Sequence, residues 1–229
     1  MLGKAAILVD RATVSGRAWE GTVQGMDEIF DFVVVGSGGG SMCAALVMRD
    51  AGKSVVILEK TGLVGGTTAR SGGVMWIPCN RFMAQAGIAD SFDQAMAYLD
   101  ATAGTSRDAP GTSPEKRAAY VREGARMVDF LVDRGVALTR VESWPDYYDE
   151  RPGGSVPGRT VVAPMFDTNE LGEWKARLRP CAWNVPVTSA EGFQLPLLKS
   201  SWKPKLTMLK VGLRMTAARI MGKDLVVMG

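Results

Sequence analysis

The chain has 229 residues, 46% of them apolar and 22% charged, and a net charge of +3; this fits one large or two small globular domains and does not argue for a nucleic-acid partner. It contains no histidine and three scattered cysteines without a C-x-x-C pair, which excludes Ser-His-Asp and Cys-His catalysis within the chain and indicates neither a metal site nor a disulfide framework. This cysteine usage, together with the lack of any apolar run of ~18 residues, predicts a cytoplasmic protein without a membrane span.

The first predicted elements form a β-turn-α-β unit over residues 31–60. Residues 32–35 are apolar, the last three of them are β-branched, and they lead into a glycine, which predicts a short buried strand. Residues 41–51 are rich in Ala, Met and Leu and predict a helix that ends at Gly52. Residues 55–58 then predict a second buried strand.

The turn of this unit carries a modified dinucleotide-binding motif. Gly36 and Gly38 allow a tight turn and a close backbone approach, and Ser41 replaces the third glycine with a residue that is still small. The free N–H groups at the helix start can bind a pyrophosphate. Glu59 lies 23 positions after Gly36, where an acid can accept hydrogen bonds from a ribose. The combination favours a dinucleotide site over an ordinary glycine turn.

A second cluster of glycines and hydroxyl residues follows the acid, at residues 65–68 and 71–73. A nicotinamide-binding fold does not need this cluster, whereas a flavin enzyme does, because its chain passes along the pyrophosphate and under the isoalloxazine ring. The stretches VVVGSGGGSMCAAL, VVILEKTGLVGGTTARSGGVMWIP and WPDYYDE resemble the FAD-dependent 3-ketosteroid Δ1-dehydrogenases, which belong to the fumarate reductase/succinate dehydrogenase flavoprotein superfamily.

This resemblance implies an α/β fold, a Rossmann-like FAD-binding domain over residues 29–229 that is incomplete at its C-terminus. Such enzymes are more than twice as long, so the substrate domain is expected to be missing. Residues 1–28 would then be an N-terminal extension. Because Met26 stands where such enzymes begin, the true start is either Met1 or Met26.

The resemblance also implies FAD as the cofactor and assigns residues to it. The pyrophosphate would be held by Gly36, Ser37, Gly38 and Ser41, and the ribose by Glu59, with Lys60 near the adenosine. The flavin side would be lined by Gly66, Thr67, Thr68, Ser71, Gly72 and Gly73. Gly39, Gly40 and Gly65 are predicted to bind the cofactor as well. No metal ligand is predicted.

The adjacent Tyr147 and Tyr148 are the predicted catalytic residues. In the ketosteroid dehydrogenases, a tyrosine in this kind of motif supports a second tyrosine that removes a proton from the steroid. A free phenol has a pKa of ~10 and is a weak base until hydrogen bonds stabilise its anion. The sequence leaves open which of the two faces the site, and whether they are only a packed aromatic pair.

The chain beyond residue 80 is predicted to be mostly helical. Helices are expected to begin after Ser91 and Ser113, and the second should stop at Gly135. A short strand is predicted at 136–141, and a loop rich in Pro and Gly at 144–164.

A basic amphipathic helix is predicted between Lys199 and Lys223, a stretch without any acidic residue. The simpler interpretation is a solvated basic face. The functional hypothesis is peripheral contact with an anionic membrane, into which a steroid would partition.

Three functions stay open on this evidence. The first is a flavin dehydrogenase that oxidises a C–C bond beside the ketone of a small apolar ketone or steroid. The second is a non-catalytic FAD-binding fragment, and the third is a fumarate reductase-like flavoprotein. The missing C-terminal half, or a partner chain, would supply the remaining catalytic groups. We expect the isolated chain to be poorly soluble or partly unfolded, because uncovered sheet edges and apolar surface would remain.

Overall fold

The computed structural model describes residues 5–9, 29–104, 111–142, 144–181, 187–188, 191 and 202–227. The chain divides into two compact units. The first unit comprises Met1–Arg70 and Leu171–Ala182, and the second comprises Ser71–Glu170 and Trp183–Gly229. The predicted division into an extension and one domain stays a prediction.

The described residues combine helices and strands, which confirms the predicted α/β class. The helices are α1 (Gly39–Asp50), α2 (Arg81–Gln85), α3 (Phe92–Ala103), α4 (Pro114–Asp133) and α5 (Trp202–Ile220), with 3-10 helices at Thr68–Arg70 and Thr168–Arg177. The strands are β1 (Ala5–Val9), β2 (Phe32–Val35), β3 (Val55–Glu59), β4 (Met75–Trp76), β5 (Thr139–Arg140), β6 (Thr160–Val162), β7 (Met165–Asp167) and β8 (Leu225–Val227).

The first unit contains the predicted β-α-β unit. Its three strands are parallel in the order β1-β3-β2, and α1 connects β2 to β3, as parallel pairing requires. The buried core between α1 and the sheet comprises Val34, Ala45, Val55 and Ile57. Strand β1 comes from the predicted extension. The prediction of both strands and of the helix between them is confirmed.

Strand β2 is less buried than its apolar sequence predicts. Only Val34 is buried, whereas Phe32, Val33 and Val35 are exposed, with Val35 80% accessible. The prediction assumed a strand covered on both faces. In the structure β2 lies at an edge of the sheet, and its other residues are left uncovered.

Helix α1 begins at Gly39, two residues before the predicted start. Gly38 occupies the N-cap position in an extended conformation and offers no side-chain cap, so the glycines after it enter the first turn. The helix ends as predicted, with Gly52 at a φ of +78°, a left-handed conformation that glycine adopts without steric cost.

The second unit packs α4 on a short antiparallel sheet of order β4-β6-β5. Its core contains Ile77, Val128 and Val161. Both predicted helix starts are confirmed, because the Ser91 hydroxyl accepts a hydrogen bond from the Gln94 N–H and the Ser113 hydroxyl accepts one from the Lys116 N–H. A second antiparallel pair, β7 with β8, lies in the same unit.

Two predictions for this unit are wrong in extent. The predicted strand 136–141 shrinks to Thr139–Arg140, and the predicted loop 144–164 contains β6, the central strand of the sheet. The β6 run of three β-branched residues is too short to be recognised after a Pro- and Gly-rich stretch. Its middle residue, Val161, is nevertheless completely buried.

Candidate cofactor site

The turn between β2 and α1 leaves the N-terminus of the helix without a capping side chain at Gly38. Gly36 takes a φ of +87°, and its N–H donates to the Leu58 carbonyl at 2.7 Å. This left-handed residue turns the chain sharply from the strand into the helix. No acidic residue lies in the first turn of α1, so the positive end of the helix dipole is uncompensated there.

The structure brings the two glycine clusters of the first unit together. A Cβ atom placed on Gly66 would lie 3.2 Å from Gly38 Cα, which is tighter than most real contacts. The Gly39 N–H donates to Thr68 Oγ1 at 2.9 Å. The backbone of Gly66 therefore lies close against the backbone of Gly38, and a side chain at Gly66 would have to push the two segments apart.

Glu59 ties the same two segments together from the end of β3. It is only 8% exposed, and its Oε2 accepts hydrogen bonds from the Ser37 N–H, at 3.0 Å, and from the Ser37 hydroxyl. The Ser37 Oγ in turn accepts from the Gly65 N–H at 2.9 Å. The Ser37 hydroxyl is the main reason that the pKa of Glu59 is lowered, so the group is held as a carboxylate.

Other predicted cofactor residues are placed more loosely. Ser37 is buried and its hydroxyl donates to Glu59, so its contact with a pyrophosphate stays a prediction. Lys60 and Thr67 are exposed, and a Cβ on Gly40 would meet open space. In the second unit, Ser71 Oγ accepts from the Gly73 N–H at 3.2 Å, while Ser71 and Gly72 are exposed.

The predicted catalytic tyrosines lie in the second unit and differ in exposure. Tyr147 is 87% exposed and Tyr148 is 46% exposed, and their rings meet edge to face with centroids 4.8 Å apart. The Tyr148 N–H donates to Tyr98 Oη at 3.1 Å. Tyr98 is buried, and burial raises its pKa. The pair is thus held through its backbone, with the Tyr147 ring uncovered.

A buried ion network anchors the segment that carries these tyrosines. Arg159 donates to Asp90 through Nε at 2.9 Å and Nη2 at 2.7 Å, and to Asp146 through Nη1 at 2.7 Å. Trp76 Nε1 also donates to Asp146, at 2.8 Å. Asp146 directly precedes Tyr147, so the network fixes the start of the tyrosine segment to β4. Sequence reasoning assigned no role to Arg159, because nothing local marks it.

The glycines of the predicted loop mark close backbone contacts. A Cβ on Gly153 would lie 2.2 Å from the Gln94 carbonyl oxygen, and one on Gly158 would lie 2.0 Å from the Trp144 carbonyl oxygen. The Gly158 N–H donates to that same Trp144 carbonyl. The Pro- and Gly-rich stretch is therefore a closed, packed loop, and its glycines were the signal available in the sequence.

The described residues contain no metal-ligand cluster, no disulfide and no membrane-spanning helix. No cluster of His, Cys, Asp or Glu there could hold a metal ion. The three cysteines are unpaired. Among the helices in those ranges, none has the length and apolar character needed to cross a membrane.

The parallel β-α-β unit, with two glycine clusters meeting at one helix start and a pinned acid after the second strand, defines a dinucleotide-binding domain. Comparison with known proteins identifies the dinucleotide. The model of the FAD binding domain family matches residues 31–219. The chain belongs to this family, and FAD is its cofactor, as predicted.

Named relatives agree with the predicted resemblance. The chain is 40% identical over 205 residues to a 3-oxosteroid 1-dehydrogenase of Mycolicibacterium smegmatis, covering 87% of this chain and 35% of the relative. It is 39% identical over 153 residues to a 4-oxocyclohexanecarboxylate 2-dehydrogenase of Sinomonas cyclohexanicum, covering 66% and 26%.

A solved structure supports the same relationship. The 3-ketosteroid Δ1-dehydrogenase of Sterolibacterium denitrificans, in complex with 1,4-androstadiene-3,17-dione, matches with a TM-score of 0.69 and 32% identity, over 86% of this chain and 36% of that one. The chain thus spans about 35% of the length of the 3-oxosteroid dehydrogenases that it matches.

Proposed function

We propose that this chain is the FAD-binding portion of a dehydrogenase that oxidises a C–C bond beside the carbonyl of a cyclic ketone, with a 3-ketosteroid as the substrate class. The observation that carries the proposal is the 40% identity to a 3-oxosteroid dehydrogenase over 87% of the chain. A family match that includes both glycine clusters and the tyrosine pair supports it.

The residues of the first unit fit FAD. The open start of α1 suits its pyrophosphate, and Glu59 stands at the strand end where a ribose binds. Gly66 and Gly38 carry no side chains where a Cβ on Gly66 would come within 3.2 Å of Gly38 Cα, so their backbone atoms stay accessible to a ligand beside them. When bound, FAD supplies a hydride acceptor.

Tyr147 is our proposed contribution to proton transfer, with Tyr148 as its support. The Tyr147 ring is uncovered, as a group that meets a substrate must be, while Tyr148 packs against it edge-on and is anchored by Tyr98. A phenolate placed beside the carbon next to the ketone can take up the proton of that carbon, and a neutral phenol can donate a hydrogen bond that stabilises the phenolate of a second tyrosine doing so. We expect Tyr147→Phe to lower the rate more than Tyr148→Phe.

An anaerobic mixing experiment with the FAD-loaded chain tests the function. Loss of the visible flavin absorbance on adding 4-androstene-3,17-dione, with formation of the 1,4-diene, would support the dehydrogenase. If fumarate instead reoxidises a flavin that was reduced beforehand, so that its visible absorbance returns, the result would support the reductase. Bound flavin that responds to neither would contradict catalysis by this chain alone, as expected for a non-catalytic FAD-binding fragment. We propose that further polypeptide, in the same protein or a partner chain, supplies the remaining substrate contacts.

We also propose peripheral contact of α5 with an anionic membrane. Trp202, Leu206, Leu209, Leu213 and Ile220 are exposed and recur at helical spacing, forming an outer apolar stripe. Val211 and Ala218 are buried on the other side of the helix. The helix has no acidic residue, and exposed basic residues, Lys205, Lys210 and Arg219, flank the stripe. Such a helix suits a lipid surface.

Vesicle sedimentation tests the membrane proposal. The chain should bind vesicles that contain phosphatidylserine, and Lys205→Glu with Lys210→Glu should abolish this binding. A control with the same change in net charge is Lys53→Glu with Arg126→Glu, since both residues are exposed outside α5. Equal binding by both double variants would leave the simpler interpretation, a solvated basic face. A cytoplasmic location remains our proposal, supported by three unpaired cysteines.

A further inference from the structure

Arg179 is brought to the cofactor site by a chain segment far away in sequence. The Val64 N–H donates to the Arg177 carbonyl at 2.8 Å, and the Arg179 N–H donates to the Val64 carbonyl at 2.9 Å. These bonds form a parallel bridge between Val64 and Leu178. The bridge places Arg179 beside Thr61, which is 118 positions earlier in the chain.

Not every N–H donor of the Arg179 guanidinium forms a hydrogen bond within the chain. Its Nη2 donates to Thr61 Oγ1 at 2.9 Å, while its Nε is buried without a hydrogen-bond partner. Among the described residues, no carboxylate forms an ion pair with this side chain. A guanidinium carries five N–H donors and a permanent charge, and a buried donor without an acceptor is destabilising. The buried Nε cannot reach a ligand, but the Arg179 side chain as a whole is only partly buried, so its outer N–H groups can meet an acceptor from outside the chain.

The position of this cation suggests a class of acceptor. The Thr61 N–H donates to Glu59 Oε1 at 3.2 Å, and the Thr61 hydroxyl oxygen lies 3.3 Å from the same carboxylate oxygen. Arg179 thus lies one side chain away from the carboxylate at the ribose position. Ribose and phosphate oxygens of a dinucleotide are good acceptors for a guanidinium.

We infer that Arg179 is a cofactor-binding residue, which donates to the adenosine diphosphate half of FAD beside Glu59. Because the guanidinium of Arg179 is planar and always charged, it supplies a positive group that neither the glycine turn nor Glu59 provides. The inference rests on FAD binding and does not depend on which reaction the flavin performs. The competing role is a structural tie, in which Arg179 only holds residues 177–179 against Thr61.

Ligand titrations of the full chain separate these roles. The variants are Arg179→Met and the control Arg177→Met, whose exposed side chain lies over the Trp174 ring at 5.5 Å. Each variant is titrated with FAD, ADP and FMN. Losing hydrogen bonds from a charged group weakens binding by about tenfold to a hundredfold. We expect Arg179→Met to lose this much affinity for FAD and ADP but not for FMN, and Arg177→Met to bind like the wild type.

Circular dichroism checks that the variants are folded. If the circular dichroism spectrum of Arg179→Met differs from that of the wild type, the titrations are repeated with Arg179→Gln. The amide of this second variant can still donate to Thr61 but carries no charge. Wild-type ADP affinity in the folded variant would overturn the inference and leave a structural tie. An equal loss for FMN would place Arg179 away from the adenosine half and overturn it too. A wild-type chain that binds neither FAD nor ADP would remove the premise, whereas binding without turnover would contradict only the dehydrogenase.

Discussion

Gly66 shows how a missing side chain lets two backbone segments approach each other. Its φ of +57° is left-handed, and a Cβ atom there would press on Gly38 at 3.2 Å. Gly87 has a similar φ of +69° but open space around its Cα. The two residues therefore carry the same conformational demand and differ only in the approach of a neighbouring backbone.

This pair predicts a difference in flavin binding. Alanine at either position costs about 1 kcal/mol for the left-handed conformation. Gly66→Ala must also separate the two glycine clusters, so we expect it to lose most of its FAD affinity, while Gly87→Ala keeps it. Flavin fluorescence quenching measures both. Equal affinities would mean that the close approach at Gly66 does not shape the cofactor site.

The lowered pKa of Glu59 predicts that the free energy of unfolding depends on pH. The Ser37 hydroxyl, first among several hydrogen bonds, lowers its folded-state pKa below the ordinary value of about 4.3. Folding therefore favours the carboxylate, and this contribution to the free energy of unfolding is complete above the ordinary value. It is lost as the pH falls through the lowered pKa.

We accordingly expect the urea midpoint of the FAD-saturated chain to fall as the pH drops below about 4.3. Glu59→Gln should lack part of this slope, because an amide does not titrate. Glu142→Gln is the control, since Glu142 is exposed. Identical pH profiles in the wild type and Glu59→Gln would contradict the prediction.

Among the larger elements, the loop from Trp144 to Arg159 is held most firmly by buried charge. Both carboxylates that face Arg159 are almost completely inaccessible. Breaking a buried pair by removing one partner leaves an uncompensated charge, which costs far more than the intact pair contributes. The position of Tyr147 thus depends on Arg159, the residue at the far end of the same loop.

We expect Arg159→Met to lower the free energy of unfolding by about 3–5 kcal/mol. The control Arg126→Met breaks an exposed pair with Glu123 and should cost at most about 0.5 kcal/mol. Urea unfolding of the FAD-saturated chain measures both. A loss at Arg159 no larger than at Arg126 would mean that the network does not anchor the loop.

Among the described residues, large apolar side chains are exposed in both units. Val33, Val35 and Leu58 are exposed in the first unit, and the outer apolar stripe of α5 is exposed in the second. Contiguous patches of this kind commonly bind another surface or promote aggregation.

We therefore expect the isolated, flavin-free chain to be poorly soluble or partly unfolded. It should bind the apolar dye ANS through its exposed apolar surface. It should also show a broad thermal transition, because a partly unfolded chain does not unfold cooperatively. Calorimetry and dye fluorescence test this. A sharp, reversible thermal transition in the flavin-free chain would contradict the prediction.

The sequence alone was enough to predict the β-α-β unit, both serine-capped helices and FAD. These features depend on residues close together in the chain, where periodicity, glycine and capping residues have local physical causes. It could not predict that Arg159 would meet Asp90, 69 positions earlier, or that Arg179 would meet Thr61 across 118 positions. Such contacts form only when separate segments pack together, because the cost of burying a charge selects partners by distance in space and leaves no local pattern in the chain.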